Sequence, residues 1–281
     1  MKQLHDSLEF ILENGIHSSD RTGVGTISTF GLRMEFDIST KFPAVTTKKL
    51  MWKAVVSELL FFIEGSNDER RLCEILHNTR DESKTTIWTQ NAKSPSWLPK
   101  AKFDGDLGRI YGTNWRSWPN GDGGTIDQLS KLIEGIKNNP EGRRHILSSW
   151  NVADIDNAAL PPCHVMAQFY VRNGIIDCQM YQRSADMFLG VPFNIASYSL
   201  LTYMIAQVCG LTPGRFIHII GDAHIYTNHV DAVREQLSRV EMDLPTLELN
   251  PNIKKITDFS MADIQLVNYQ SHPAIYAPMA V

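Results

Sequence analysis

Cys163 stands in the run Leu160-Pro161-Pro162-Cys163-His164, where two prolines restrict the backbone immediately before a thiol. A little further on comes Tyr181-Gln182-Arg183-Ser184-Ala185-Asp186. Between the two lie β-rich runs around Asn173-Gly174, the dipeptide that most strongly signals a tight hairpin. Such a hairpin returns residues 182–184 alongside Cys163, to within about one residue of register. Arg183 then becomes a cationic neighbour of the thiol, the setting that activates a cysteine nucleophile. His164 is adjacent in sequence and offers a Cys–His hydrolase as an alternative. Neighbouring strand residues point to opposite faces, however, so Arg183 is the better activator.

Other residue types could complete a substrate site. Arg21, Arg143, Arg144 and Arg183 recur in short, turn-flanked polar contexts rather than on helix faces, with Ser184 beside one of them. Such groups suit a phosphate, which takes guanidinium and hydroxyl contacts together. Glu58 lies within an apolar helical run, where a carboxylate must be paired, hydrogen-bonded or protonated. That suggests a carboxyl of raised pKa working as acid or base, or a residue at the helix's solvent edge. Asn194 both donates and accepts, as recognition of a base edge requires, although capping a helix would explain it equally. Asp222, His224 and Tyr226 form a polar spur that suits a sugar. His218 and His229 read as structural, and no metal-ligand spacing stands out.

The elements needed to position these groups are also visible. Leu4, Leu8, Ile11 and Leu12 share one helical face, and the pattern stops at Asn14-Gly15. Residues 24–38 read as a strand or hairpin. Residues 51–63 form a buried helix, and 125–138 an amphipathic helix capped by Thr125, with Ile126, Leu129, Leu132, Ile133 and Ile136 inward. A further buried helix spans 197–209, closed by Gly210 and Pro213, and another follows over 228–238. Residues 91–107, broken by two prolines and scattered lysines, read as an inserted loop.

Composition bounds the rest. The chain has 281 residues, 43% hydrophobic and 21% charged, with 27 basic and 31 acidic side chains for a formal charge of −4. No general electrostatic case for nucleic acid or membrane binding follows, so any anion site is local. Four cysteines without a Cys-x-x-Cys pair, no signal-peptide pattern and no apolar run of spanning length point to a cytoplasmic protein. Without an evident linker, the expected architecture is one α+β domain over 1–281.

Taken together, these blocks resemble the thymidylate synthase family over essentially the whole length. They include Asp20-Arg21-Thr22-Gly23, Phe42-Pro43-Ala44-Val45-Thr46-Thr47-Lys48, Glu58-Leu59-Leu60, Thr86-Ile87-Trp88, Ile110-Tyr111-Gly112, Arg143-Arg144 and Leu160-Pro161-Pro162-Cys163-His164. Tyr181-Gln182-Arg183-Ser184, the run from Phe188 to Tyr198 and Gly221-Asp222-Ala223-His224-Ile225-Tyr226 continue the match. The resemblance implies a mixed β-sheet packed with helices and a homodimer through the sheet face. It implies reductive methylation of dUMP to dTMP, with Cys163 adding to C6 of uracil and 5,10-methylenetetrahydrofolate supplying carbon and hydride. No metal is required by that chemistry.

By the same resemblance, Arg183 lowers the pKa of Cys163 and joins Arg21 and Ser184 at the phosphate, with Arg143 and Arg144 reaching in from the partner subunit. Asn194 reads the uracil edge, Asp186 offers a backbone contact to the base near the folate, and His224 and Tyr226 bind the deoxyribose. Glu58, Tyr111, His164 and Gln182 organise water and proton transfers. Ile87, Trp88, Leu189, Gly190 and Phe193 line the folate site, Lys48 lies near its glutamate tail, and the last residues, Ala280 and Val281, close over both ligands. The chain departs from the family pattern at Thr89-Gln90-Asn91, where an acidic pair and a second tryptophan are common, and at Arg109, where proline is common. Both lie at the folate edge and bring in a dUMP hydroxymethylase, in which water replaces hydride, as the alternative. A non-catalytic member of the family is disfavoured, because Cys163, Arg183 and Asn194 are all present.

Overall fold

The computed structural model describes residues 1–19 and 23–279. In chain order the first half comprises α1 (Lys2–Asn14), β1 (Ile16–Ser18), β2 (Thr26–Asp37), α2 (Trp52–Glu64), α3 (Glu69–His77), α4 (Thr89–Ala92), α5 (Tyr111–Arg116), β3 (Trp118–Pro119), β4 (Thr125–Ile126) and α6 (Gln128–Asn138). The second half comprises β5 (Ile146–Ser148), β6 (His164–Arg172), β7 (Ile175–Asp186), α7 (Gly190–Cys209), β8 (Thr212–Tyr226), α8 (Val230–Leu237), β9 (Thr246–Leu249) and β10 (Ile264–Val267). One six-stranded sheet, in the order β1-β2-β8-β7-β6-β5, carries the α+β domain. It is mixed: β7 and β8 run parallel, joined through α7, and the other neighbours pair antiparallel. Among the described residues no helix is long and apolar enough to cross a membrane.

Each long helix forms where its side chains can be buried. Leu4, Leu8 and Ile11 of α1 are wholly buried. α2 buries Val55, Val56, Leu59, Phe61 and Phe62, and ends at Gly65, whose φ of 80° is the left-handed conformation glycine tolerates. α7 is apolar on all sides because it runs through the interior, and Gly210 closes it at φ 70°. The core joins these helices to β2, β7 and β8, with Phe216 stacked on Phe36 and Tyr198.

Several boundaries differ from the sequence expectations. α7 begins at Gly190, not 197, so Asn194 lies within the helix rather than before it. The Asp186 carboxylate explains this: its Oδ1 accepts from Phe188 N and Leu189 N, both at 2.9 Å, and so organises the turn that starts the helix. Helix α6 begins at Gln128. Its cap is Asp127, which accepts from Ser130 N, whereas Thr125 and Ile126 pair with Trp118 and Pro119 as a short ribbon. β2 is one twelve-residue strand, and its hairpin partner is β1. The 91–107 segment is irregular, but Trp97 anchors it: the ring is 4% exposed and Nε1 donates to Asp106 O at 2.6 Å.

The hairpin that positions Cys163 forms at Asn173-Gly174, with φ of 53° and 76°. Both central residues are left-handed, as the tight turn matching strand twist demands. Pairing then runs regularly from Arg172↔Ile175 to Met166↔Tyr181 and shifts at Val165, giving His164↔Gln182. This β-bulge moves the end of β6 by one residue. Regular pairing would have set Arg183 against His164. The bulge instead sets it against Cys163, and Arg183 N donates to Cys163 O at 2.9 Å.

Candidate active site

Cys163 faces a cavity of about 590 Å³. The cavity is also lined by Glu58, Trp88, Tyr111, His164, Gln182, Arg183, Ser184, Asp186, Gly190, Asn194, His224 and Tyr226. It thereby gathers residues from α2, α5, β6, β7, α7 and β8, far apart in sequence. A larger groove of about 750 Å³ between α2, α3 and residues 256–262 contains no cysteine.

The thiol is held from two sides. Cys163 N donates to Tyr111 Oη at 2.7 Å. Arg183 Nη2 lies 3.9 Å from Cys163 Sγ. The guanidinium is aimed by carbonyls: Nε donates to Pro162 O and Nη2 to Pro161 O, each at 2.9 Å, and the group stacks 5.3 Å from the Trp150 ring. The two prolines therefore act through their carbonyl oxygens as well as their stiffness. Among the described residues Arg183 forms no ion pair with a carboxylate, so its charge is left for the thiolate and for an anionic ligand.

The expected lowering of the Cys163 pKa is only part of the balance. Burial pushes the thiol up, and Arg183 with Tyr111 pulls it down without fully offsetting burial. The net balance favours the neutral thiol.

Glu58 behaves as its apolar context suggested. Burial lifts its carboxyl to about 7, opposed by Trp88, whose Nε1 donates to Glu58 Oε1 at 2.8 Å. His164 is buried between the Tyr111 and Tyr198 rings, at 4.9 and 5.1 Å, and burial lowers it to about 4. It is thus a neutral imidazole near pH 7, unlike the imidazolium partner of a Cys–His hydrolase. Gln182 donates through Nε2 to Ser184 O at 3.0 Å and to Asn194 Oδ1 at 3.1 Å, and its Oε1 contacts His218 Nε2 at 2.8 Å. His224 Nδ1 lies 3.3 Å from Asp222 Oδ1, and its ring packs edge-on to Tyr226.

The remaining candidates are placed differently. Arg143 and Arg144 are exposed just before the edge strand β5 and do not line the cavity. Ile87 is 59% exposed, and Leu189 and Phe193 are half-buried outside the cavity wall. Lys48 turns inward: its Nζ lies 3.5 Å over the Phe188 ring and donates to Phe188 O, and burial lowers it to about 7. Arg21, Ala280 and Val281 lie outside the described residues. Thr89 is buried, donating to Glu69 Oε1 at 2.6 Å, so this departure serves the packing of α3 and α4. Arg109 bonds Asn114 Oδ1 at 3.1 Å and Ser117 O at 2.8 Å, and pairs with Asp154 at 3.2 Å, tying the start of α5 to the turn that precedes Cys163. Sequence reading missed Ser18, Ser19, Thr26, Phe62 and Leu160 in the cavity wall; no motif around them sets them apart, and only the tertiary fold brings them there.

A thiol beside a guanidinium, a carboxyl titrating near neutrality and a fixed amide, all facing one cavity, define a site built for covalent catalysis on a polar substrate. Residues 2–281 match the thymidylate synthase family, and the chain belongs to it. The protein is therefore an enzyme of dUMP methylation or a related reaction, in a family that uses methylenetetrahydrofolate.

Proposed function

We propose that this enzyme converts dUMP to dTMP by reductive methylation, through a covalent bond between Cys163 and C6 of uracil. The observation that carries the reading is the approach of Arg183 Nη2 to Cys163 Sγ in the cavity that Asn194 also faces. Burial favours the neutral thiol, and the Arg183 guanidinium works against that penalty as the sulfur gives up its proton. As the sulfur adds to C6, its proton passes to solvent and the C5–C6 π electrons move toward the uracil O4, giving an enolate whose C5 is nucleophilic. Asn194 reads O4 and N3–H, and Glu58, populated in both protonation states near pH 7, manages proton transfer at that oxygen. Arg183, Ser184 and Arg21 hold the phosphate, while His224 and Tyr226 hold the sugar.

The cavity suits a folate beside the nucleotide. Trp88 and Leu160 offer apolar surface, and Gly190 lacks a Cβ that would stand 3.7 Å from both Asn194 Oδ1 and Asp186 Cβ. When bound there, 5,10-methylenetetrahydrofolate would supply the one-carbon unit and the hydride. Trp88, Asp186 and Gly190 would hold it within the cavity, Ile87, Leu189 and Phe193 would meet it beyond the cavity wall, Lys48 would lie toward its tail, and Ala280 and Val281, outside the described residues, would cover it. Arg143 and Arg144 form no ion pair among the described residues, which supports their donation to a partner's phosphate site in a cytoplasmic homodimer paired through the sheet face.

The test is incubation with dUMP and methylenetetrahydrofolate, with products identified by mass spectrometry. dTMP and dihydrofolate are expected. Hydroxymethyl-dUMP with tetrahydrofolate would instead assign the hydroxymethylase reaction, and no consumption of dUMP would overturn both.

A further inference from the structure

We propose that His218, outside the cavity wall, selects uracil over cytosine by fixing the orientation of two amides that end at Asn194. The inference rests on the functional reading above and deepens it.

His218 is wholly buried on β8, and Gln182 on β7 is 3% exposed. Gln182 Nε2 donates to Ser184 O, a backbone carbonyl that can only accept. Its Oε1 must therefore be the atom facing His218, and His218 Nε2 must carry a proton to meet it at 2.8 Å. His218 Nδ1 has no hydrogen-bond partner among the described residues, in keeping with a bare nitrogen. Burial lowers this imidazole to about 3, which keeps it neutral with a single N–H. The direction of donation is thus determined along the chain: His218 to Gln182, and Gln182 to Asn194 Oδ1 at 3.1 Å.

The consequence falls on the base. With Oδ1 engaged by Gln182, Asn194 turns its NH₂ toward the position-4 substituent, where uracil carries an acceptor and cytosine an amino donor. If Gln182 flips, its oxygen faces Asn194 and draws that NH₂ inward. Asn194 Oδ1 then turns to position 4 and matches cytosine. Ser184 O opposes the flip from one end. His218 opposes it from the other, because without its N–H the Oε1 becomes a buried acceptor with no donor.

Calorimetric titration of dUMP and dCMP into the wild type and His218→Phe tests this on the same folded proteins. The ratio of dUMP to dCMP affinity should fall by about tenfold in His218→Phe, the scale of one buried hydrogen bond. His218→Gln, which keeps an N–H donor, should recover most of that ratio. A folded His218→Phe that discriminates as the wild type does overturns the inference. Should the variants fail to fold, ¹⁵N NMR of the wild-type histidines decides: Nε2–H is expected for His218, and Nδ1–H overturns the proposal. A wild type that binds dUMP poorly and without preference over dCMP removes the functional reading itself, and this inference with it.

Discussion

Desolvation raises the pKa of the half-buried Cys163 thiol, and Arg183 is the principal charge that works in the other direction. Replacing Cys163 with alanine should abolish turnover, to below about one part in a thousand, with dUMP binding retained. Steady-state assay and calorimetry check the two halves, and substantial residual turnover would show that the nucleophile lies elsewhere. Glu58 offers a test by pH. Its carboxyl rises from 4.5 to about 7 on folding, so the folded protein binds more protons than the unfolded chain in that window. Stability contributed by this residue is therefore present below 4.5 and lost as pH rises through about 7. Glu58→Gln, neutral throughout, should melt at a higher temperature than wild type above about pH 7 and gain far less at about pH 4. His164 and His218 act oppositely, losing stability on acidification because burial lowers both. The comparison with the glutamine variant cancels their contribution.

The β6–β7 hairpin is the element on which the site depends. Asn173 and Gly174 hold left-handed φ, and nothing lies within 4 Å of where a Cβ on Gly174 would be. A substitution there strains the backbone without a steric clash. Gly174→Val should destabilise the fold by about 1–2 kcal/mol, read from urea denaturation, and weaken catalysis only if the Val165 bulge slips. No change in stability would mean that the turn is not held in this conformation. Gly112 on α5 is a contrasting case, because a Cβ would stand 2.7 Å from Phe62 O and 2.8 Å from Phe62 Cα. Gly112→Ala forces α5 away from α2 and so moves Tyr111, whose hydroxyl holds Cys163 N. A loss of kcat greater than the loss of stability explains is the expected signature, measured by pairing kinetics with thermal melting.

At the scale of the whole molecule, the sheet order leaves β5 at one edge, with Arg143 and Arg144 exposed at its start. If these arginines serve a partner's phosphate site, mixing inactive Arg143→Ala and Cys163→Ala proteins should restore activity. A randomly mixed population should recover up to about a quarter of a wild-type site count, because half the dimers are mixed and each has one intact site. No rescue, with mixed dimers demonstrated by mass spectrometry, would argue against a shared site. Arg109 and Thr89, the two departures from the family pattern, both make structural contacts and leave the cavity wall as it stands.

Local chemistry made much of this legible in the chain alone. The Asn173-Gly174 turn, the apolar helices, the placement of Glu58 in one of them and the proximity of Cys163 to Arg183 follow from short-range geometry and hydrophobic periodicity. What depended on long-range contacts did not follow. The start of α7 was missed because Asp186, a residue outside the helix, organises its first turn. The one-residue bulge at Val165, which sets Cys163 opposite Arg183 rather than Ser184, leaves no mark in composition or period. The net direction of the thiol's pKa needed the burial supplied by α2, α5 and α7, and His218 read as inert until the sheet placed it behind Gln182. Sequence determined which groups are present and which neighbours lie within one hairpin. Only the tertiary structure decided their desolvation, their register and the direction of their hydrogen bonds, because each depends on atoms brought from distant parts of the chain.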